Sequence, residues 1–246
     1  MKRSERHHLK ENTFAVAIAR LQTQVRKWGG TLMFGAAIGL SALLLFAGYS
    51  WWSSRTTSQA GVLLADALAL ADAPVVPAPA DEPADFVQPP GSYQTIEAKL
   101  SAALPKLVEV ADAYPSTESG ITARYRAAAA MAALGRHDEA ADQYRQVIVQ
   151  DGGGLYGRMA TLGLADVQIA SGAYDEAIGL LAQLSGPDAV TDLPVDGVLM
   201  RLGQAYGLAG RLAEAQAVFQ RVMDEFPASL YFADADRELQ ALRTDG

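Results

Sequence analysis

The chain has 246 residues, half of them hydrophobic, a net charge of −8 and no cysteine. That length allows one or two domains with a sizeable core, and the missing thiols exclude a disulfide framework, Cys-ligated zinc and thiol catalysis. Residues 1–52 carry seven basic side chains against two acidic ones, net +5, which leaves −13 for the remainder; a remainder this acidic lacks the basic footprint of a nucleic-acid-binding surface, whereas the basic head suits anionic lipid.

Residues 1–28 read as a cytoplasmic amphipathic segment. Phe14, Ile18, Leu21 and Val25 fall on one face of a helix, and Lys10, Glu11, Arg20 and Arg26 lie off it. Such a helix lies on a membrane surface, or serves as a docking helix or short coiled coil. His7 and His8 are adjacent, with no third ligand at metal spacing.

Residues 29–52 predict a transmembrane helix. Gly29 to Ser50 contains no charge over 22 residues, and an α-helix of that length spans about 33 Å, against a bilayer core of roughly 30 Å. Trp28 stands at one end and Trp51 and Trp52 at the other, where amphipathic rings settle at the interface. Arg26 and Lys27 precede the span, so the positive-inside rule puts the N-terminus in the cytoplasm and the long C-terminal part outside it. A cleaved signal peptide is the rival reading, but its apolar region is shorter and is closely followed by a small-residue cleavage site. Gly35 and Gly39 form a G-x-x-x-G pair, a candidate surface for self-association of the helix.

Residues 53–73 read as a juxtamembrane helix with Val62, Leu63, Leu68 and Leu70 on its apolar side. Residues 74–92 hold six of the eleven prolines, with Asp81, Glu82 and Asp85 among them, the composition of an extended acidic spacer. From Tyr93 onward the pattern is helical. Pro105 falls inside the first of these helices, where it must kink the helix or mark a break.

Residues 93–246 then show an internal period. Gly135, Gly172 and Gly210 are spaced 37 and 38 residues apart. Each is followed at the same offsets by a small residue (Ala140, Ala177, Ala215), by a bulky one (Tyr144, Leu181, Phe219) and by an aliphatic one (Val147, Leu184, Val222). The glycine turns the chain between two antiparallel helices, the alanine lets the second helix approach the first, and the bulky residue fills the interface between units. The units run over about 121–154, 158–191 and 196–229, with a capping helix at 229–243. The third unit is the most regular, which leaves the units nearer the span as the expected seat of binding specificity. Residues 53–114 make a degenerate leading unit that ends at Pro115.

This pattern resembles the tetratricopeptide repeat. The resemblance implies an all-α fold: a transmembrane helix followed by a short right-handed solenoid of antiparallel helix pairs with a C-terminal cap. The whole layout is similar to that of single-pass bacterial inner-membrane proteins related to the ancillary subunit of the Sec translocon, and His8 to Asn12 (HLKEN) resembles the N-termini of relatives in that group. The family implies a periplasmic groove, built mainly by the first helix of each unit, that holds a peptide or partner protein. By the family's register Tyr125, Ala129, Met159, Leu162, Asp166, Met200 and Gln204 face that groove. The expected function is that of a membrane-anchored protein-binding module, chaperone-like or translocon-associated, or else a structural scaffold of a cell-division or cell-wall assembly.

Catalytic chemistry is not expected. Residues 151–157 (DGGGLYG) are glycine-rich but follow no strand and lack the dinucleotide-binding register. No serine sits in a nucleophile elbow. Asp138–Glu139 and Asp175–Glu176 fall at the starts of second helices, where the helix dipole favours them. No cofactor, metal or nucleic acid is expected, and the partners named are a protein or peptide and the bilayer.

Overall fold

Local chemistry begins and ends the helices of the C-terminal part. Thr95 and Thr117 stand in extended backbone, and their hydroxyls accept the amides of Ala98 and Gly120 at 3.0 Å. These are N-caps that satisfy otherwise orphaned donors. At the other end of the first helices the chain turns at Gly135, Gly172 and Gly210, whose φ values are 74°, 80° and 74°. The residue after each glycine donates its amide back across the turn: Arg136 to Met131, Ala173 to Gln168 and Arg211 to Tyr206, at 2.8–2.9 Å. That is the Schellman closure, and it needs a left-handed residue at the glycine. Gly172→Ala is therefore expected to cost about 1–2 kcal/mol, from the clash of a Cβ with the following carbonyl. Thermal unfolding measures it, at about 2–4 °C per kcal/mol for a domain of this size. An unchanged midpoint would show that the turn does not hold this geometry.

A computed structural model describes residues 3–79, 87–186 and 193–244, with side chains from residue 33 onward. Among the described residues there are nine helices and one isolated bridge. They are α1 (Arg3–Ala71), α2 (Ile96–Ala113), α3 (Glu118–Ala133), α4 (His137–Asp151), α5 (Leu155–Ala170), α6 (Tyr174–Ser185), α7 (Val195–Leu208), α8 (Leu212–Glu225) and α9 (Phe232–Thr244). The side chains of Phe14, Ile18, Leu21, Val25, His7, His8 and Trp28 lie outside the described part. So do residues Asp81, Glu82, Asp85 and Pro187.

The chain divides into two units, Met1–Arg55 and Thr56–Gly246. Helix α1 runs unbroken through what the sequence separates into a head, a span and a juxtamembrane piece. The first proline is Pro74, so no backbone breaker ends it earlier. Within α1, Met33–Ala71 is long and apolar enough to cross a membrane, with mean hydropathy 1.7. Its large apolar side chains up to Trp52 are exposed, and a Cβ on Gly35 or Gly39 would meet nothing within 4 Å. The Arg55 guanidinium sits 5.6 Å above the Trp51 ring.

In the second unit, α3/α4, α5/α6 and α7/α8 are helix pairs in series, and α9 packs against α8. Helices α3 and α5 start three residues before the expected 121 and 158. The final helix starts at 232 rather than 229, because the Ser229 hydroxyl accepts the Tyr231 amide and donates to Asp196 at 2.6 Å, which makes a turn of that stretch. Pro105 stays inside α2 without ending it. The periodic positions fill the core as their spacing requires. Ala140, Ala177 and Ala215 are wholly buried, and Tyr144, Leu181, Phe219, Val147, Leu184 and Val222 are buried beside them. The core has two main parts. One joins Ala67 of α1 to Leu104, Leu107 and Tyr144, so the end of α1 and α2 lead the array; the other runs from α5 to Leu239 of α9.

The neck of the proline-rich stretch is closed. The Tyr93 amide donates to the Pro74 carbonyl at 3.0 Å, and the Val76 amide donates to Tyr93 at 2.8 Å. Gln88 donates from Nε2 to the Val76 carbonyl and to the Ser92 hydroxyl. Residues 74 and 93 are therefore held together rather than apart.

Candidate groove on the first helices

Among the first helices α3 packs against α5 and α5 against α7, and the seven residues expected on their groove side divide into four groups. Tyr125 is half-buried. Its ring stands 5.9 Å from Tyr144 and 5.8 Å from Tyr156, both tilted, so it belongs to an aromatic row along α3, α4 and α5. Burial raises its pKa. Ala129 lines a cleft of about 280 Å³ with His137, Tyr144, Gly163 and Asp166. Met159 and Leu162 are half-buried and line none of the described clefts; Leu162 packs against the second core instead. Asp166, Met200 and Gln204 come together in a larger cleft of about 690 Å³. Met200 is buried and makes its floor, while Asp166 and Gln204 are open to solvent.

Six of the nine residues that line this cleft are ones the repeat register does not name. Arg201 of α7 contributes a guanidinium, and Tyr231, Asp234, Arg237 and Glu238 line the side formed by α9. The repeat register concerns first helices only, and the sequence makes α9 a cap. In the fold α9 takes the place where another first helix would stack. Asp234 and Glu238, four apart, therefore share a face. That spacing was the available signal.

The charges in the cleft are arranged in pairs. Arg201 donates from Nε to Asp166 at 2.9 Å and from Nη1 to the Gly197 carbonyl at 3.1 Å. Arg237 pairs with Asp234. The Asp166 side chain is 46 % exposed, yet the cleft walls thin the water around it. Burial pushes its carboxyl above the ordinary value, and Arg201 pulls it part of the way back. With the folded pKa above the unfolded one, ionisation of Asp166 costs the folded chain nothing at low pH and its full amount once pH passes the folded pKa. Arg201 offsets that cost. Arg201→Met is therefore expected to destabilise more at neutral pH than at about pH 4, near the ordinary carboxylate range, which urea midpoints at both values would read. Equal losses would show that Arg201 acts through packing alone.

Among the described residues no group of three His, Asp or Glu side chains is placed to hold a metal. What the site offers is a shaped surface with an apolar floor and fixed charges, suited to holding a chain segment.

Comparison with known proteins bears on the whole arrangement. No curated protein matches the chain. Solved structures that resemble it include the nearly identical TPR-like repeats of a putative kinesin light chain from Podosopora anserina, at 19 % identity over 60 % of this chain and 87 % of that one, TM-score 0.48. MamA from Desulfovibrio magneticus RS-1 also resembles it at 19 % identity, over 60 % of this chain and 76 % of that one, TM-score 0.48. The profile of the tetratricopeptide repeat-like domain matches residues 25–239, which takes in α2 through most of α9 as well as the apolar part of α1. The chain belongs to the tetratricopeptide repeat-like domain family.

Proposed function

We propose that this protein is a single-pass membrane protein of the bacterial envelope, with its N-terminus in the cytoplasm and its repeat domain outside. There it captures exported polypeptide segments in the groove of its first helices, in the manner of a chaperone. The observation that carries the binding role is the cleft between α5, α7 and α9, where Asp166, Arg201, Asp234 and Arg237 are already held in pairs around a buried Met200. A surface organised before the ligand arrives loses less freedom on binding. The membrane position rests on the apolar segment of α1, its flanking tryptophans and the basic head.

The test is a photo-crosslinking amino acid placed at Gln204, in the cleft, in cells that express the full chain. Adducts with newly exported polypeptides are expected. A single stoichiometric adduct with one envelope protein would instead establish the scaffold reading, and no adduct would end the groove assignment. A phosphatase fused after Gly246 reads the orientation separately: it is active only if that end lies outside the cytoplasm.

A further inference from the structure

The groove has a second compartment of different chemistry. Beside the charged cleft lies one of about 360 Å³, with Ile169, Leu208, Phe219 and Leu242 in its walls. Leu208 is 56 % exposed, and a Cβ on Gly207 would meet nothing within 4 Å, so this compartment is open and apolar. Ile169, Gln204 and Glu238 belong to the walls of both compartments. Glu238 therefore stands at the mouth of an apolar recess, on the border of the charged cleft.

The charges around it select the sign of a ligand. Both guanidinium groups in the cleft already have a carboxylate partner, Arg201 in Asp166 and Arg237 in Asp234, which leaves Glu238 as one carboxylate in excess. Glu238 has no ion pair or hydrogen bond among the described residues. The chain beyond residue 52 carries −13, and no lysine follows Lys106. An acidic segment approaching this face meets a net negative lining and must compete with Asp166 and Asp234 for the arginines. A basic segment is steered in by the excess of carboxylates and finds one unpaired.

We infer that the groove selects cationic segments: the apolar recess beside Leu208 takes an aliphatic or aromatic side chain, and Glu238 takes a lysine or arginine near it in the same segment. This rests on the groove assignment above and names the chemistry of its ligand. Apolar burial supplies affinity, and the charge supplies selection. The apolar recess must be filled for binding, so a basic peptide without an apolar side chain is held weakly.

The experiment uses the full chain in nanodiscs of zwitterionic lipid, with empty nanodiscs as the blank, and reads fluorescence anisotropy of three short labelled peptides. One carries leucines with lysines between them, one has glutamates in place of the lysines, and one keeps the lysines but has serines in place of the leucines. The Lys/Leu peptide is expected to bind about tenfold more tightly than either other, with the charge preference falling as salt rises. Glu238→Lys removes the preference for lysine over glutamate. Glu176→Lys, the same charge reversal at an exposed position on α6, leaves it in place. Leu208→Ser brings the Lys/Leu peptide down to the level of the Lys/Ser one. All three positions are exposed, so the variants keep the core intact. Equal or tighter binding of the Glu/Leu peptide overturns the inference, and so does an equal effect of Glu176→Lys and Glu238→Lys, which would mean diffuse attraction to an acidic domain. If none of the three peptides binds, the groove assignment falls and takes the inference with it; adducts at Gln204 together with binding that ignores charge would leave the groove standing and sink the inference alone.

Discussion

Phe219→Ala is expected to destabilise the repeat domain by about 3–5 kcal/mol, the range for removing a buried phenylalanine and leaving a cavity. Phe219 is 2 % exposed and sits in the second core with Leu181, Leu199 and Val222. Its ring packs onto bare backbone: a Cβ on Gly203 would lie 2.5 Å from its Cε1. Gly203→Ala alone should therefore cost about 1–3 kcal/mol by overpacking. The double variant is the discriminating one. With the ring gone, the methyl group at 203 has room and fills part of the cavity, so the two losses should sum to less than additive. Chemical unfolding of the four proteins reads the cycle. Strict additivity would mean that the ring and the glycine do not share a contact. Gly163 and Tyr144 make the same kind of contact across the border between the first and second pairs, at 2.5 Å from Cζ.

The second large effect concerns the proposed anchor. Ile38→Lys and Leu43→Lys introduced together should release the chain from membranes. Each charge near the middle of a spanning helix costs about 2.5–3.5 kcal/mol on insertion scales. Both positions are exposed along the apolar segment of α1. Cell fractionation with an alkaline carbonate wash is the measurement. A variant that stays in the washed pellet would show that the chain is held to the membrane by something other than this helix.

The repeat was readable because its markers are local. A left-handed turn tolerates glycine far better than other residues, so Gly135, Gly172 and Gly210 marked the turns without any knowledge of the fold. The small and bulky positions after each turn repeat because the same helix pair is stacked again, and a repeated contact demands a repeated residue type. The groove residues were harder to read. Met200 is periodic and apolar in sequence whether it floors a cleft or fills a core. Leu162 follows the same register as Asp166 but turns to the core. The part α9 takes in the cleft was not legible, since a capping helix and a further first helix share one amphipathic pattern.

By itself the sequence determined the fold class, the helix pairs with their turns, the apolar segment of α1 and the acidic character of everything beyond it. These depend on neighbours along the chain and on total charge, which no folding changes. Only the tertiary structure decided that Pro105 is carried inside a continuous helix, that residues 74 and 93 are tied together, and that α9 lines the larger cleft. It also placed the largest of the described clefts between α5 of the second pair, α7 of the most regular pair and the cap. The physical reason is that regularity in a repeat records how units pack on each other. A cleft records where the stack stops and the next first helix, here α9, brings Glu238 to face an α7 residue 34 positions earlier, Gln204.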